Sequence, residues 1–374
     1  MRKHLASLDG LRGVAALAVA LKHFQNLSHI NLHLQQAAVA VDLFFVLSGF
    51  VIAQAYEHRL AAGLRWGEYM RIRLARLYPA ILGGLVIALI LRFAFGGPYI
   101  WSFTFQFALL PVLVGPMLYG GDIFPLDGPQ WSLFWEVVAN GLHAAVFRWL
   151  TPRRLAWIMA IAAIGLAWAA WAWGWLDVGW TRRTFWCGLP RVIYGFSAGV
   201  LIFRLKARGW SAPKVPYPLL LLVLALCMFR WAPSIRLYWA RDLILVIVIL
   251  PLIVAFAVSA EAKGRWMKPV LWLGAISYPL YTLHVPLLRG YRWLLMEHPP
   301  ITPLEGKIGW VLAFGGTLAF AHLFERAYDA PIRAWLAGRR NRSATASPRR
   351  PVVREAPADQ PEAPVLANPS APRR

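Results

Sequence analysis

Residues 8–24 read LDGLRGVAALAVALKHF, an apolar stretch long enough to belong to a membrane helix, yet it contains Arg12 and His23. These two residues are eleven positions apart, and eleven helical steps of about 100° make about 1100°, within about 20° of three full turns. They therefore lie on one face of the predicted helix, about 16 Å apart along its axis. Because an ionisable side chain at a bilayer centre costs roughly 2.5–3.5 kcal/mol on insertion scales, each of them requires a partner or a function.

The rest of the chain is also strongly apolar. Of its 374 residues, 59% are hydrophobic and 15% are charged, whereas soluble domains are about half apolar and a quarter charged. Successive apolar runs of about 20 residues are each long enough to cross a hydrocarbon core of about 30 Å. The sequence predicts an all-α, polytopic membrane helix bundle with about ten transmembrane helices. The predicted spans lie near 10–28, 36–56, 79–96, 131–150, 155–173, 185–203, 216–233, 240–259, 269–289 and 308–327.

The ends of the chain are predicted to be cytoplasmic. The run 100–119 is interrupted by prolines and a glycine, so it is predicted to be re-entrant or interfacial and leaves an even number of spans. The positive-inside rule then places the arginine-rich stretch 59–76 and both termini in the cytoplasm. From Gly338 onward Pro, Arg and Ala dominate without an apolar period. We therefore expect a membrane domain over 1–335 and a disordered cytoplasmic tail over 336–374.

The net charge of +22, from 39 Lys and Arg against 17 Asp and Glu, does not indicate nucleic acid binding. Most basic residues lie between the apolar runs or in the tail, as positive-inside topology requires. Membrane lipids with acidic headgroups are their expected partners. The two cysteines, Cys187 and Cys227, fall in apolar runs and indicate neither a disulfide framework nor a metal site.

Four ionisable side chains from different spans are predicted at a similar depth. From the predicted boundaries, Asp42 and Glu136 lie about 7–9 Å below the outer surface, and His284 lies about 22 Å above the inner one. His23 falls in the same outer half of the bilayer. A lone histidine in a bundle is often only a hydrogen-bonded packing residue, but two acids and two histidines at one depth indicate a site.

A second candidate site lies at the inner surface, where residues 71–79 read RIRLARLYP. Arg73 and Arg76 are three residues apart and share a helix face, and guanidinium groups bind phosphates well. Arg12 is expected nearby. The competing interpretation is a basic loop that only sets the topology.

Taken in order, these segments resemble the motifs of the membrane acyltransferase-3 family, bacterial inner-membrane enzymes that acylate sugars and related acceptors. SLDGLRG followed by His23 matches the family's Arg-x10-His pattern, and RLARLYP matches its Arg-x-x-Arg motif. The ending FERAYDAPIR, residues 324–333, departs from the family's Glu…Pro-x-Arg pattern because several residues separate Glu325 from Pro331, so Glu325 is assigned no role. The other matching segments are VDLFFVLSGFVIA at 41–53, GPQWSLFWE at 128–136 and SYPLYTLHVP at 277–286.

The resemblance implies an integral membrane O-acyltransferase of the bacterial inner membrane. Such an enzyme moves an acyl group, commonly acetyl, from cytoplasmic acyl-CoA to a hydroxyl of a sugar or an exported glycan. Acyl-CoA is then a co-substrate, and no permanently bound cofactor or metal is expected. Arg12, Arg73 and Arg76 would bind the donor. The expected catalytic residues are His23, Glu136, His284 and Asp42, and the expected substrate-contacting or supporting residues are Ser48, Trp131, Ser132 and Tyr281.

The predicted chemistry begins with a histidine that accepts the proton of an alcohol, since its unperturbed pKa is near 6.5. Glu136 is expected to orient the His23 imidazole, as a buried carboxylate does in hydrolase triads. Asp42 is expected to support a histidine or to cap the second helix. Which histidine is the base stays open, as does direct transfer against an acyl-enzyme. Ser48 or Ser132 as a nucleophile is less favoured, because hydroxyls in membrane helices usually bond the backbone or a neighbouring helix.

Two other classes of function fit the same composition. A secondary transporter also places ionisable residues at depth, although the two halves of the chain show no repeat symmetry. A membrane scaffold or sensor is the third reading, and it predicts that both histidines tolerate apolar replacement.

Overall fold

The computed structural model describes residues 5–95, 100–113, 121–229, 237–260, 262–264, 267–300 and 302–346. Within these ranges the chain is helical and forms no strand, and a single isolated bridge joins Asp122 and Thr181. The chain divides into one unit of residues Met1–Ala334 and a second of residues Trp335–Arg374. The prediction of an all-α membrane bundle is confirmed.

The helices follow one another closely along the described chain. Short 3₁₀ turns lead into α2 and α7, and π turns connect α9 to α10 and α12 to α13. The bounds are α1 Ala6–Ser28, α2 Ala40–Ala61, α3 Trp66–Phe95, α4 Ile100–Phe107, α5 Gln130–Val146, α6 Pro152–Trp173, α7 Gly188–Ala207, α8 Tyr217–Met228, α9 Tyr238–Ile244, α10 Leu250–Ser259, α11 Met267–Glu297, α12 Pro303–Phe324 and α13 Ala330–Ala346.

Seven helical segments of the described chain are long and apolar enough to cross a membrane, and each overlaps a predicted span. The other three predicted spans fall on α1, which carries charged side chains, and on α5 and α8, which have 17 and 12 residues. A polytopic bundle is therefore confirmed, and the number of crossings stays a prediction. The seven segments are Gln35–Ala61, Trp66–Phe95, Pro152–Trp173, Phe185–Ala207, Tyr238–Ser259, Met267–Glu297 and Pro303–Arg339.

The run 100–119 forms no spanning helix where it is described. The eight residues of α4 extend only about 12 Å. Residues 110–113 are not helical, because Pro111 lacks an N–H and disfavours a helical conformation at the residue before it. Residues 114–120 lie outside the described residues. The predicted re-entrant or interfacial placement stays a prediction.

The C-terminal segment differs from the expected tail. Helix α13 continues to Ala346, whereas the disordered tail is predicted to begin at residue 336. Alanine and arginine have high helix propensity, and they extend a helix that is already nucleated. Residues 347–374 lie outside the described residues, so disorder there stays a prediction.

Two close helix pairs form the centre of the bundle: α1 packs along α11, and α2 packs along α7. A Cβ atom on Gly199 would lie 2.0 Å from the carbonyl oxygen of Val46, and one on Gly49 would lie 2.0 Å from that of Phe196. Small residues allow this approach of two backbones inside a membrane. Packing α1 on α11 also brings the helix of His23 against the helix of His284.

We expect Gly199→Ala to destabilise the protein, because the new methyl group has no space beside Val46. Overpacking of this kind typically costs about 1–3 kcal/mol. The measurement is the thermal unfolding midpoint of the protein in detergent. Gly315→Ala in α12 is the matched control, since a Cβ there would meet no atom within 4 Å. Equal midpoints for the two variants would contradict the close α2–α7 contact.

Candidate active site

A cavity of about 500 Å³ lies between α1, α2, α3, α5 and α11 and is completed by the segment after α12. Along α11 its lining runs from Leu271 to Tyr281, which is nearly one turn short of His284. Hydroxyl groups of Ser48, Ser132 and Tyr281 line it together with many apolar side chains. Its charged lining consists of Arg12, Arg73, Arg76, Arg333, Asp9, Glu136, Glu325 and Asp329.

Three of the four cavity arginines are ion-paired. Arg12 Nη2 lies 3.0 Å from Asp9 Oδ1, and Arg73 Nη2 lies 3.5 Å from Glu136 Oε1. Arg333 Nη2 lies 2.5 Å from Glu325 Oε1. Arg76 is exposed and has no ion pair or hydrogen bond among the described residues. Its guanidinium is therefore the cavity cation most available to an anion, and Arg12 and Arg73 line the same cavity, as the sequence predicts.

Glu136 does not contact His23. Its Oε1 accepts a hydrogen bond from Ser48 Oγ at 2.8 Å and lies 3.5 Å from Arg73 Nη2. The expectation that Glu136 orients the His23 imidazole is therefore wrong. The helical rise estimates the depth of a residue, but it does not say which neighbouring helix the residue faces.

Asp42 also lies apart from the histidines, because it pairs with Arg191 of α7. Arg191 Nε donates to Oδ1 at 3.0 Å, and Arg191 Nη2 donates to Oδ2 at 2.6 Å. Both residues are buried. Arg191 further donates to the carbonyl oxygen of Val178 at 2.6 Å and lies 5.0 Å from the centre of the Trp131 ring. The expected role of Asp42 beside a histidine is wrong, and Trp131 supports this ion pair.

His23 and His284 form a direct pair. His284 Nε2 lies 3.2 Å from His23 Nδ1, and the two rings meet edge to face with centroids 4.9 Å apart. His284 is fully buried, whereas His23 retains accessible surface. The predicted convergence of the two histidines is therefore present, and it does not include either acid.

Backbone carbonyl groups determine which nitrogens of this pair carry hydrogen. His284 Nδ1 lies 2.8 Å from the carbonyl oxygen of Leu280, so it donates, and its neutral Nε2 carries a lone pair. His23 Nδ1 lies 3.0 Å from the carbonyl oxygen of Val19, so it also donates, to Val19 and to His284 Nε2. This hydrogen-bond network assigns the remaining lone pair to His23 Nε2. The pair can therefore accept a proton at that nitrogen.

A pair of hydroxyl groups separates the cavity from the histidines. Ser132 Oγ lies 2.6 Å from the Tyr281 hydroxyl and 3.0 Å from the carbonyl oxygen of Pro129. The Tyr281 and His284 rings have centroids 6.0 Å apart. Ser132 and Tyr281 line the cavity, and neither histidine does. A group that occupies the end of the cavity would thus meet these hydroxyls before it meets His23.

A buried loop, residues 121–129, is attached to α11, the helix of His284. Arg289 of α11 holds it, through a hydrogen bond to the carbonyl oxygen of Pro125 at 2.8 Å and an ion pair with Asp122 at 3.3 Å. Burial raises the pKa of Asp122 to about 6 and that of Asp127 to about 8, and Arg289 opposes both shifts. Asp127 is therefore largely protonated at pH 7, which lowers the cost of burying the loop.

Several residues of the site are absent from the sequence-based expectations. Arg191 stands inside a predicted span, and an arginine there is itself a signal of a buried partner. Asp329 and Arg333 lie in the FERAYDAPIR segment, whose irregular spacing gives no indication of the cavity. Among the described residues, no group of three or more His, Cys, Asp or Glu side chains is arranged to hold a metal ion.

The sequence is similar to known acyltransferases over most of its length. Residues 5–326 match the profile of a family described as an acyltransferase domain. Acyltransferase MdmB of Streptomyces mycarofaciens is 26% identical over 353 residues, which cover 85% of this chain and 87% of MdmB. Protein 2 in the picA locus of Rhizobium radiobacter is 34% identical over 180 residues, which cover 44% of this chain and 93% of that protein.

A longer relative is the peptidoglycan O-acetyltransferase OatA of Listeria monocytogenes. It is 24% identical over 364 residues, which cover 89% of this chain and 56% of OatA. No solved structure matches the chain.

We expect Asp42→Asn to prevent normal folding rather than to impair catalysis alone, because it leaves the Arg191 charge buried without a counterion. Removing one partner of a buried pair costs about 3–5 kcal/mol, while replacing both with apolar residues is often neutral. Size-exclusion chromatography of the detergent-extracted protein should show loss of the folded peak for Asp42→Asn and its recovery in Asp42→Leu/Arg191→Met. A normally folded but inactive Asp42→Asn variant would instead place Asp42 in the chemistry.

Proposed function

The chain belongs to the acyltransferase family whose domain profile it matches over residues 5–326, and we propose that it is a membrane O-acyltransferase that moves an acyl group from acyl-CoA to a carbohydrate hydroxyl. The observation that carries the proposal is the lone pair assigned to His23 Nε2, beyond one end of a cavity that also holds the unpaired Arg76. The name of OatA, a peptidoglycan O-acetyltransferase, supports both the O-acyl chemistry and a carbohydrate acceptor. The proposed location is the bacterial inner membrane, with the arginines facing the cytoplasm.

The donor is proposed to occupy the cavity between the arginines and the hydroxyl pair. A volume of about 500 Å³ is typical of small-molecule and cofactor sites. Arg76 would bind the phosphates of the donor, with Arg12 and Arg73 nearby, because guanidinium groups pair with phosphate oxygens through two parallel hydrogen bonds. The pantetheine arm would follow α11 toward Tyr281, and the thioester would lie beside Ser132.

The acceptor alcohol loses its proton to His23 Nε2 as its oxygen attacks the thioester carbonyl carbon. The C–O bond forms, the C–S bond breaks, and the CoA thiolate takes the proton from the His23 imidazolium. His284 is a positioning residue, because its Nε2 accepts the Nδ1–H of His23 and so stabilises the charged ring. The Tyr281 hydroxyl is assigned to the developing oxyanion, toward which it would turn from its present partners Ser132 and Pro129, since a donor there lowers the barrier.

A proteoliposome assay distinguishes an acyltransferase from a transporter. The purified protein in proteoliposomes receives acetyl-CoA and a set of free sugars and N-acetylglucosamine oligosaccharides. Release of CoA thiol and formation of acetylated sugar, detected by mass spectrometry, are expected in equal amounts. Sugar uptake without release of CoA thiol would overturn the proposal in favour of transport.

We expect His23→Ala to lower kcat by about 10²–10⁴-fold, the usual contribution of a general base. His284→Ala should lower kcat less, because the accepting nitrogen of His23 remains. His298→Ala is the control, since this histidine is exposed and does not line the cavity. All variants are compared at equal membrane levels. If activity survived His23→Ala but not His284→Ala, the base would be His284.

We expect Arg76→Gln to raise the KM for acetyl-CoA by about 10-fold or more, since a hydrogen bond to a charged group contributes about 1.5–3 kcal/mol. The KM for S-acetyl-pantetheine, which has no diphosphate, should not change. Arg71→Gln is the matched control, because Arg71 lies on the same helix, is exposed and does not line the cavity. Equal increases in the KM for acetyl-CoA in Arg71→Gln and Arg76→Gln would mean that both arginines act only through the general charge of the surface.

A further inference from the structure

The charged segment that follows α12 has no part in the chemistry described so far. It belongs to FERAYDAPIR, residues 324–333, and three of its side chains line the cavity: Glu325, Asp329 and Arg333. Ion-pairing groups in this environment are costly to bury. Their convergence on the proposed donor cavity therefore calls for a function.

A π turn brings these side chains together. The turn spans Glu325–Asp329, and the Ala330 N–H bonds the carbonyl oxygen of Glu325, five residues earlier. In a regular helix the eight steps from Glu325 to Arg333 give about 800°, so the two side chains would point about 80° apart. A π turn accommodates one extra residue. The seven remaining steps give about 700°, only about 20° short of two turns, and both side chains share the cavity face.

Arg333 is held by both carboxylates but remains accessible. Its Nη2 lies 2.5 Å from Glu325 Oε1, and its Nε lies 2.9 Å from Asp329 Oδ2. The side chain of Arg333 is 31% exposed, whereas those of Glu325 and Asp329 are 17% and 1% exposed. Arg333 Nη1 forms no hydrogen bond within the described part of the chain. The guanidinium therefore presents free N–H groups to the cavity from a position that the acids fix.

The charges around Arg333 place an incoming anion in competition with the two carboxylates. Two acidic side chains contact one guanidinium, so the positive charge of Arg333 is already offset within the cluster. An anion that enters the cavity is attracted to Arg333 and repelled by Glu325 and Asp329. Since an Arg–phosphate pair is commonly bidentate, an anion on the Nε–Nη2 edge must displace a carboxylate contact, and an anion on the Nη1–Nη2 edge shares Nη2 with Glu325.

We propose that Arg333 is a further donor-binding residue that binds a phosphate group of acyl-CoA, and that Glu325 and Asp329 compete with this phosphate for the guanidinium. This inference rests on the proposed function. In the absence of donor the acids neutralise Arg333. When CoA is bound they weaken its hold, which favours release of the product.

The test is equilibrium binding of CoA, dephospho-CoA and pantetheine to the full chain in nanodiscs. Arg333→Gln should weaken CoA binding about 10-fold and leave pantetheine binding unchanged. Glu325→Gln should tighten CoA binding by about 2–5-fold, as expected from loss of a partly exposed ion pair. The double variant should bind CoA as Arg333→Gln does, because the acid acts through the arginine. Arg326→Gln is the matched control, since Arg326 is an exposed neighbour outside the cavity lining.

Two results would overturn the inference. One is equal loss of CoA affinity in Arg333→Gln and Arg326→Gln. The other is weaker CoA binding by Glu325→Gln, which would make the cluster a structural brace. Arg333→Lys serves if the glutamine variant does not fold: it keeps the charge without the planar fork, and CoA affinity equal to that of the wild type would also overturn the inference.

Failure of the proposed function gives a different pattern. In that case the wild-type protein binds CoA no more tightly than pantetheine, whatever residue stands at position 333. If the wild type binds CoA through its phosphates and the Arg333 variants bind CoA equally well, only the proposed role of Arg333 is rejected.

Discussion

A charge held among membrane helices must find its counter-charge inside the bundle, because the lipid chains offer neither water nor ions. This constraint organises the described structure. Arg191 is bound to Asp42, Arg73 lies beside Glu136, and the buried Lys22 pairs with Asp177. Each pair joins residues that are distant in sequence. Arg76, which lines the cavity, has no such pair among the described residues and is exposed, which is why it is the arginine proposed to bind the donor first.

The histidines satisfy the same constraint without charge. Two backbone carbonyls, those of Val19 and Leu280, orient both rings, so each ring donates from Nδ1 and a lone pair is left on His23 Nε2. A buried base that is neutral until it accepts a proton is less costly than a buried ion. In the proposed reaction the cavity provides the charged contacts, and the histidine pair provides the proton acceptor. The Ser132 and Tyr281 hydroxyls lie between the charged cavity lining and the histidine pair.

The sequence predicts the helices and the two groups of site residues well, because apolar length and helical rise determine where a residue lies along a membrane helix. His23 and His284 meet, and Arg12, Arg73 and Arg76 line one cavity. The partners of Asp42 and Glu136 could not be predicted, since depth does not specify which neighbour a helix face meets. The position of Arg333 in the cavity could not be predicted either, because it depends on one extra residue in the helical turn before it.

The hydroxyl pair and the buried loop 121–129 have a consequence for the cell. A protein that receives a thioester from one compartment and an alcohol from the other risks becoming a leak for protons and small ions. In the described structure the cavity lining ends at Ser132 and Tyr281, and Arg289 anchors the buried loop 121–129 to α11, the helix of His284. In the proposed reaction the two substrates meet at this hydroxyl pair, so the transfer requires no continuous water-filled path that would dissipate the electrochemical gradient across the membrane.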